Sequence, residues 1–208
     1  MSRIFVCLLG ALLSLSVAAP QAQAPREWPT YPIEEAPAEL RPAIQHGDLL
    51  ILSIQDAVLS ELARELTEGG PALAVQVCHM SAMALINRIG RDEGIAAGRT
   101  SARLRTPSNA PRAWAAPIVA RHADRRAAGI DGFVVDLGER VGVMRPIAHR
   151  AGCSPCHGLE EQLNPRVRAE LKNRYPVDRA IGFKEGDLRG WIWVEVPKKW
   201  PAALAGIE

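Results

Sequence analysis

Cys153, Ser154, Pro155, Cys156 and His157 form a C-x-x-C-H run, followed at once by Gly158. Two thiols held two residues apart can reach both vinyl groups of one porphyrin, and the next residue then lies under the iron with its imidazole as proximal ligand. In a protein that leaves the cytosol, this run is the attachment signature of a c-type haem. On this reading Cys153 and Cys156 are the thioether anchors and His157 ligates iron. Other chemistries use the same residues. A thioredoxin-like dithiol needs the pair at the start of a helix after a buried parallel strand, which residues 147–151 do not resemble. Zinc would need three adjacent ligands in a tetrahedral shell, with no second cysteine pair to complete it. A Cys153–Cys156 disulfide is the plain alternative in an oxidising compartment and would leave a non-haem periplasmic binding protein.

Export is read from residues 1–24: Arg3 near the start, an apolar run over residues 4–17, and small residues Ala18, Ala19, Ala22 and Ala24. This is the three-part pattern of a secretory signal peptide, cut after Ala24. Its apolar run is shorter than the roughly 20 residues of a spanning helix, so no membrane anchor is expected after cleavage and the mature chain is predicted to be periplasmic. Loss of Arg3 takes the formal charge of the 208-residue chain from +2 to +1. That balance gives no argument for nucleic-acid or membrane binding. Cys7 leaves with the leader, so Cys78, Cys153 and Cys156 remain. An odd thiol in an oxidising compartment asks for an explanation, and metal ligation is one.

The elements that must position these residues follow from periodicity. Residues 25–45 form a proline-rich arm, with Trp28 and Tyr31 as its anchors on the domain. A helix is predicted over residues 46–67, its apolar stripe serving core packing or a homodimer, and Gly69, Gly70 and Pro71 stop it. A second helix over residues 72–89 has Val75, Cys78, Ala82, Leu85, Ile86 and Ile89 near one stripe. On spacing alone, Cys78 suits a buried small hydrophobe or an iron ligand equally. His79, Met80 and Met83 are neighbouring donors.

Residues 99–126 are basic. Arg99, Arg103 and Arg105 lie in a polar loop stiffened by Pro107 and Pro111, and planar guanidinium forks suit the propionates of a haem; Arg121, Arg125 and Arg126 read as solvated surface. A short helix is expected over residues 112–126, then strands over 130–135 and 140–144 joined as a hairpin through Leu137, Gly138 and Glu139. Asn164 and Pro165 start another helix, and Trp191 to Val196 alternate as a strand ending at Pro197. Unequal helices and loops between strands predict an α+β fold with a small antiparallel sheet, over a domain of residues 46–200 with a tail of 201–208.

Blocks along the chain resemble the haem c domain family first described as a domain of unknown function, over about residues 49–197. They are Ala74-Val75-Gln76-Val77-Cys78; residues 98–111 from Gly98-Arg99-Thr100 to Ala110-Pro111, with Trp114; Arg145-Pro146-Ile147 leading to the C-x-x-C-H run; and residues 175–183 with Gly186-Asp187-Leu188-Arg189-Gly190. The resemblance implies a PAS-like fold with N-terminal helices around one covalent haem c, His157 as proximal ligand and Cys78 as distal ligand. Thr106 and Ala115 depart from the family pattern, where asparagine and an acidic residue are usual. The expected function is an exported monohaem c-type protein in redox or gas sensing or single-electron transfer, its partner an unidentified redox protein or a small gas. Two filled axial positions leave no open site for a substrate, so an enzyme is not expected. The alternative is a peroxidase-like haem enzyme, which would need five-coordinate iron and a distal acid–base residue, with His79 as candidate.

Overall fold

Alternation of buried and outward residues builds a five-stranded antiparallel sheet whose centre is formed by β3 (Phe133–Asp136), β4 (Arg140–Ala148) and β5 (Leu188–Pro197). The computed structural model describes residues 27–199, with the side chains of residues 77–80 left aside. The predicted signal peptide, the first residues of the predicted arm, the 201–208 tail and the side chain of Cys78 therefore lie outside the described residues. Two short strands flank the centre: β1 (Thr30–Pro32) pairs with β3, and β2 (Ala96–Thr100) pairs with β5, giving the order β1-β3-β4-β5-β2. The anticipated hairpin is present, with Val134 opposite Val143 and Val135 opposite Gly142.

Helix α1 (Arg41–Asp92) covers one face of the sheet. It is broken at Gly70, whose φ of 72° and ψ of −175° are open to glycine at little cost, with Pro71 next. The Gly69-Gly70-Pro71 signal thus marks a real interruption, and the two halves fold back on the same core. Ile44, Ile51 and Ile54 from the first half meet Ile86 from the second over Val134, Val143, Ile192 and Val194. The segments Ala38–Gln76 and Ser81–Asp92 are inclined by 91°. Among the described residues no single helix is long and apolar enough to cross a membrane, while this bent pair passes on length and composition together.

The opposite face carries an aromatic cluster: Trp114, Trp191 and Trp193 with Met144 and helix α2 (Ala116–Arg121), shorter than the 112–126 span predicted. Buried Glu195 accepts hydrogen bonds from Trp114 Nε1 at 2.8 Å and Arg112 Nε at 3.0 Å, so its charge is compensated where it is desolvated. The proline-rich arm is partly structural, since Trp28 and Tyr31 pack on the two cores. Helix α3 (Ser154–His157) carries the C-x-x-C-H run, and α4 (Pro165–Arg174) begins where expected, with the Asn164 side chain accepting from the Arg166 N–H at 2.9 Å.

Strand β2 was not anticipated, because Ala96, Ala97 and Gly98 carry little strand signal. Gly98 is nevertheless required by contact: a Cβ there would sit 2.5 Å from the Trp193 ring. Gly98→Val should lower stability by about 1–3 kcal/mol through overpacking. Thermal unfolding beside the wild type checks this, and an unchanged midpoint would mean that Trp193 does not lie under the strand.

Candidate functional site

Helix α3 is four residues long and cannot be stable alone. It is held by a turn at residues 178–183. The backbone N–H groups of Gly182 and Phe183 donate to the carbonyls of Gly158 and His157 at 2.7 and 3.0 Å. Arg105 adds a side-chain strap: its Nε donates to Asp178 Oδ2 at 3.0 Å, and one terminal nitrogen donates to the carbonyls of Cys156 at 2.6 Å and Ala180 at 3.3 Å. Asp178 is nearly enclosed and also accepts from the Ala180 N–H at 2.7 Å through Oδ1.

The same Ala180 carbonyl accepts from His157 Nδ1 at 2.7 Å. That bond requires the proton on Nδ1, which leaves Nε2 with its lone pair, the arrangement of an imidazole ready to ligate a metal. Burial, followed by the charges of Arg105, Arg189 and Arg99, holds the His157 pKa well below its usual value, so the ring is neutral at pH 7. The Phe183 ring stands edge-on at 6.5 Å. Cys153 and Cys156 are unlinked thiols one helical turn apart. Burial pushes the Cys156 thiol up, against the pull of Arg105.

Arg189 was quoted only as part of a sequence block, and its role was missed. Ile147 pairs with Gly190 and Ala148 with Leu188, so Arg189 is the extra residue of a β-bulge. Bulges re-aim side chains, and this one sends the guanidinium to the site, where Nη1 donates to the free lone pair of His157 Nε2 at 3.3 Å and Cys153 is within electrostatic reach. Its Nε is shut from solvent with no partner among the described residues. Burial and the nearby Arg99 lower its pKa to about 10, yet it stays protonated at neutral pH. No local sequence signal marks a bulge of this kind.

The predicted arginines divide. Arg99, half-buried on β2, is within electrostatic reach of both His157 and Arg189. It also lines a cavity of about 400 Å³ along the outer edge of β2, with Met83, Asn87, Asn109 and Trp193. Arg103 donates from Nε to the Arg179 carbonyl at 3.3 Å and lies 3.9 Å over the Phe183 ring. Arg105 is engaged by Asp178 and two carbonyls. The polypeptide of α1 at Cys78 is helical, and that thiol lies outside the described side chains. Among the described residues no three His, Cys, Asp or Glu side chains cluster as a metal cage.

His149 is a second residue that the sequence did not single out. It is fully buried, stacks on Phe183 with ring centroids 5.8 Å apart, and its Nε2 lies 3.1 Å from Ser154 Oγ inside the motif.

A family model described as Tll0287-like, Tll0287, matches residues 32–197. The chain belongs to the Tll0287-like family. A solved structure of the cyanobacterial haem protein Tll0287 is 24% identical with a TM-score of 0.54, and the alignment covers 80% of this chain and 99% of that one. The likeness supports the α+β, PAS-like assignment of this Tll0287-like chain. No curated protein matches it.

Two measurements test the site. Arg105→Met leaves Asp178 enclosed without its cation and should cost about 3–5 kcal/mol in denaturant unfolding, the range for breaking a buried pair; Arg166→Met, on exposed helix surface, should be near neutral. His149 has its pKa lowered by burial first and by Arg189 second. A base held neutral when folded and free to protonate when unfolded contributes full stability above about pH 6.5, lost as pH falls from there toward the folded value. Unfolding midpoints should therefore drop below pH 6.5, and His149→Gln should flatten that slope.

Proposed function

We propose that the chain is an exported monohaem c-type protein that senses redox state or a small gas, or passes single electrons. The observation that carries this reading is the His157 geometry: a neutral imidazole with Nδ1–H fixed on a carbonyl and an unprotonated Nε2 whose lone pair meets only Arg189 Nη1 at 3.3 Å, with the unlinked thiols of Cys156 beside it and Cys153 one turn before it. The residues fit a haem in a second respect. Arg99, Arg105 and Arg189 gather near one imidazole, Asp178 already partners Arg105, and an enclosed guanidinium N–H of Arg189 lacks an acceptor. A propionate carboxylate would supply that acceptor, and planar guanidinium forks suit carboxylates. Cys153 and Cys156 would hold the porphyrin, His157 would ligate the iron from Nε2, and Arg189 with Arg99 would hold carboxylates.

A bound haem would supply one-electron chemistry at iron. The chain's own part is to fix the imidazole tautomer through Ala180, to keep α3 rigid through Arg105, and to offer a distal donor from α1. Cys78 is that donor in this reading, on the strength of its stripe position and the family resemblance. A soft anionic sulfur there favours ferric iron and lowers the potential. Periplasmic residence rests on the signal-like residues 1–24.

The test uses protein matured in cells competent for cytochrome c assembly. Mass spectrometry should find one covalent haem on the wild type and none on Cys153→Ala/Cys156→Ala. Covalent haem on the double variant would sink the attachment. Cys78→Ser should keep the haem but lose the low-spin thiolate signature in electron paramagnetic resonance and raise the potential. Retention of the wild-type spectrum would make Cys78 a core residue. Arg189→Gln and Arg99→Gln should shift the potential more than Arg125→Gln, which changes an exposed residue; equal shifts would remove the propionate assignment.

A further inference from the structure

The first half of α1 has two apolar faces. One is buried on the sheet through Ala43, Ile44, Ile51 and Ile54. The other points outward: Leu49, Leu52 and Leu59 remain 66%, 61% and 61% exposed. With Asp56, Ala63 and Leu66 they follow the alternating three- and four-residue steps of a coiled-coil seam, 49-52-56-59-63-66. Leu52, Leu59 and Leu66 occupy one heptad position. Leu73 continues the interval but lies beyond the Gly70 break, where it fills the space over Gly69, so the seam ends at Leu66.

Apart from Asp56, the charges of this segment lie off the seam. Arg64 bonds Glu61 and Glu65, each at 2.8 Å, and Asp48 is paired with Arg145. Of the flanking positions, Asp48 is the charged one and is already paired with Arg145, while Ser53, Gln55, Ser60, Leu62 and Thr67 carry no charge. Asp56 is the one ionised residue in the seam and discriminates between arrangements. A parallel, in-register pair would set Asp56 against Asp56 in a desolvated layer, which is unfavourable. An antiparallel two-fold pair moves the two carboxylates into separate layers and sets Leu49 against Leu66, Leu52 against Ala63, and Asp56, exposed in the single copy, against Leu59 of the other.

We propose that the outward face of α1 is the interface of an antiparallel homodimer, formed by residues 49–66 of two copies around a two-fold axis. An isologous contact of this kind is self-complementary and closes on itself, so it produces a dimer and not a filament. The seam is about 26 Å long at 1.5 Å per residue, and two helices joined along it bury on the order of 1,000 Å² in total, at the lower bound for a specific interface. The dimer is therefore reversible and concentration-dependent. It rests on the helix alone and is independent of the haem assignment.

Sedimentation equilibrium of the mature, periplasmically produced protein, from about 1 to 200 μM, reads the state directly, with a span of concentrations chosen to bracket a micromolar equilibrium. The expected result is a monomer–dimer equilibrium whose dissociation constant rises at least tenfold in Leu52→Glu/Leu59→Glu, with circular dichroism and haem content as in the wild type. Both residues are exposed, so the variant should fold. Oxidation of Leu52→Cys/Ala63→Cys should cross-link two copies, whereas Leu52→Cys alone should not. A wild type monomeric throughout, a dimer indifferent to the glutamates, or cross-linking by Leu52→Cys alone would each overturn the proposal. So would a monomer that pellets with phosphatidylethanolamine/phosphatidylglycerol vesicles through these leucines, because lipid would then be the occupant.

Discussion

The carbonyl oxygen of Ala180 is the point on which the site depends. It accepts from His157 Nδ1 at 2.7 Å and from Arg105 at 3.3 Å, while the Ala180 N–H is held by Asp178. A carbonyl has two lone pairs, so one atom can fix the imidazole tautomer and tie it to the strap that holds α3. Asp178 closes the circuit by binding both ends, the turn through Oδ1 and Arg105 through Oδ2. A segment as short as α3 has no helical stability of its own; its geometry is inherited from this turn. The orientation of His157 is thus a tertiary property, set across more than twenty residues of sequence.

Electrostatics then explains why the imidazole stays neutral. Guanidinium groups of Arg99, Arg105 and Arg189 all act on His157 in the direction that burial already favours, toward the unprotonated ring. A proton on Nε2 would add a cation to a desolvated cationic cluster. The arrangement keeps the ring unprotonated while concentrating positive charge around it. Both effects come from the same side chains. Arg105 contributes through space even though its hydrogen bonds go elsewhere.

The sequence was most legible where signals are local. Asn164 and Pro165 start α4 because a cap and a pre-set φ act within three residues, and Gly70 interrupts α1 for an equally local reason. The hairpin of β3 and β4 and the alternation in β5 follow from side-chain period. Strand β2 was hidden because its core is Ala96, Ala97 and Gly98, small residues selected by contact with Trp193, which lies nearly one hundred positions away. Strand β1 was hidden within a proline-rich arm, where Pro32 is tolerated at a sheet edge. At the site, Cys153, Cys156 and His157 stand out in the sequence through their spacing. Arg105, expected on a carboxylate of the cofactor, also bonds Asp178 and two backbone carbonyls, contacts that no local pattern announces. Arg189 and His149 were not singled out, since the bulge that re-aims the one and the stacking on Phe183 that engages the other are tertiary features.

The fold positions Arg189 through a constraint on its neighbours. A Cβ at Gly190 would lie 2.5 Å from the Thr100 carbonyl, so glycine allows β5 and β2 to approach closely at their site end. Immediately before Gly190, the register shift against β4 leaves Arg189 without a residue opposite. Close approach brings Arg99 on β2 near the bulge, and the bulge turns Arg189 out of the regular alternation of β5. Ile192 and Val194 can then continue on the α1 face while Trp191 and Trp193 continue on the other. One irregular residue lets a strand that is otherwise part of the core deliver a buried cation to the site without disturbing either of its packed faces.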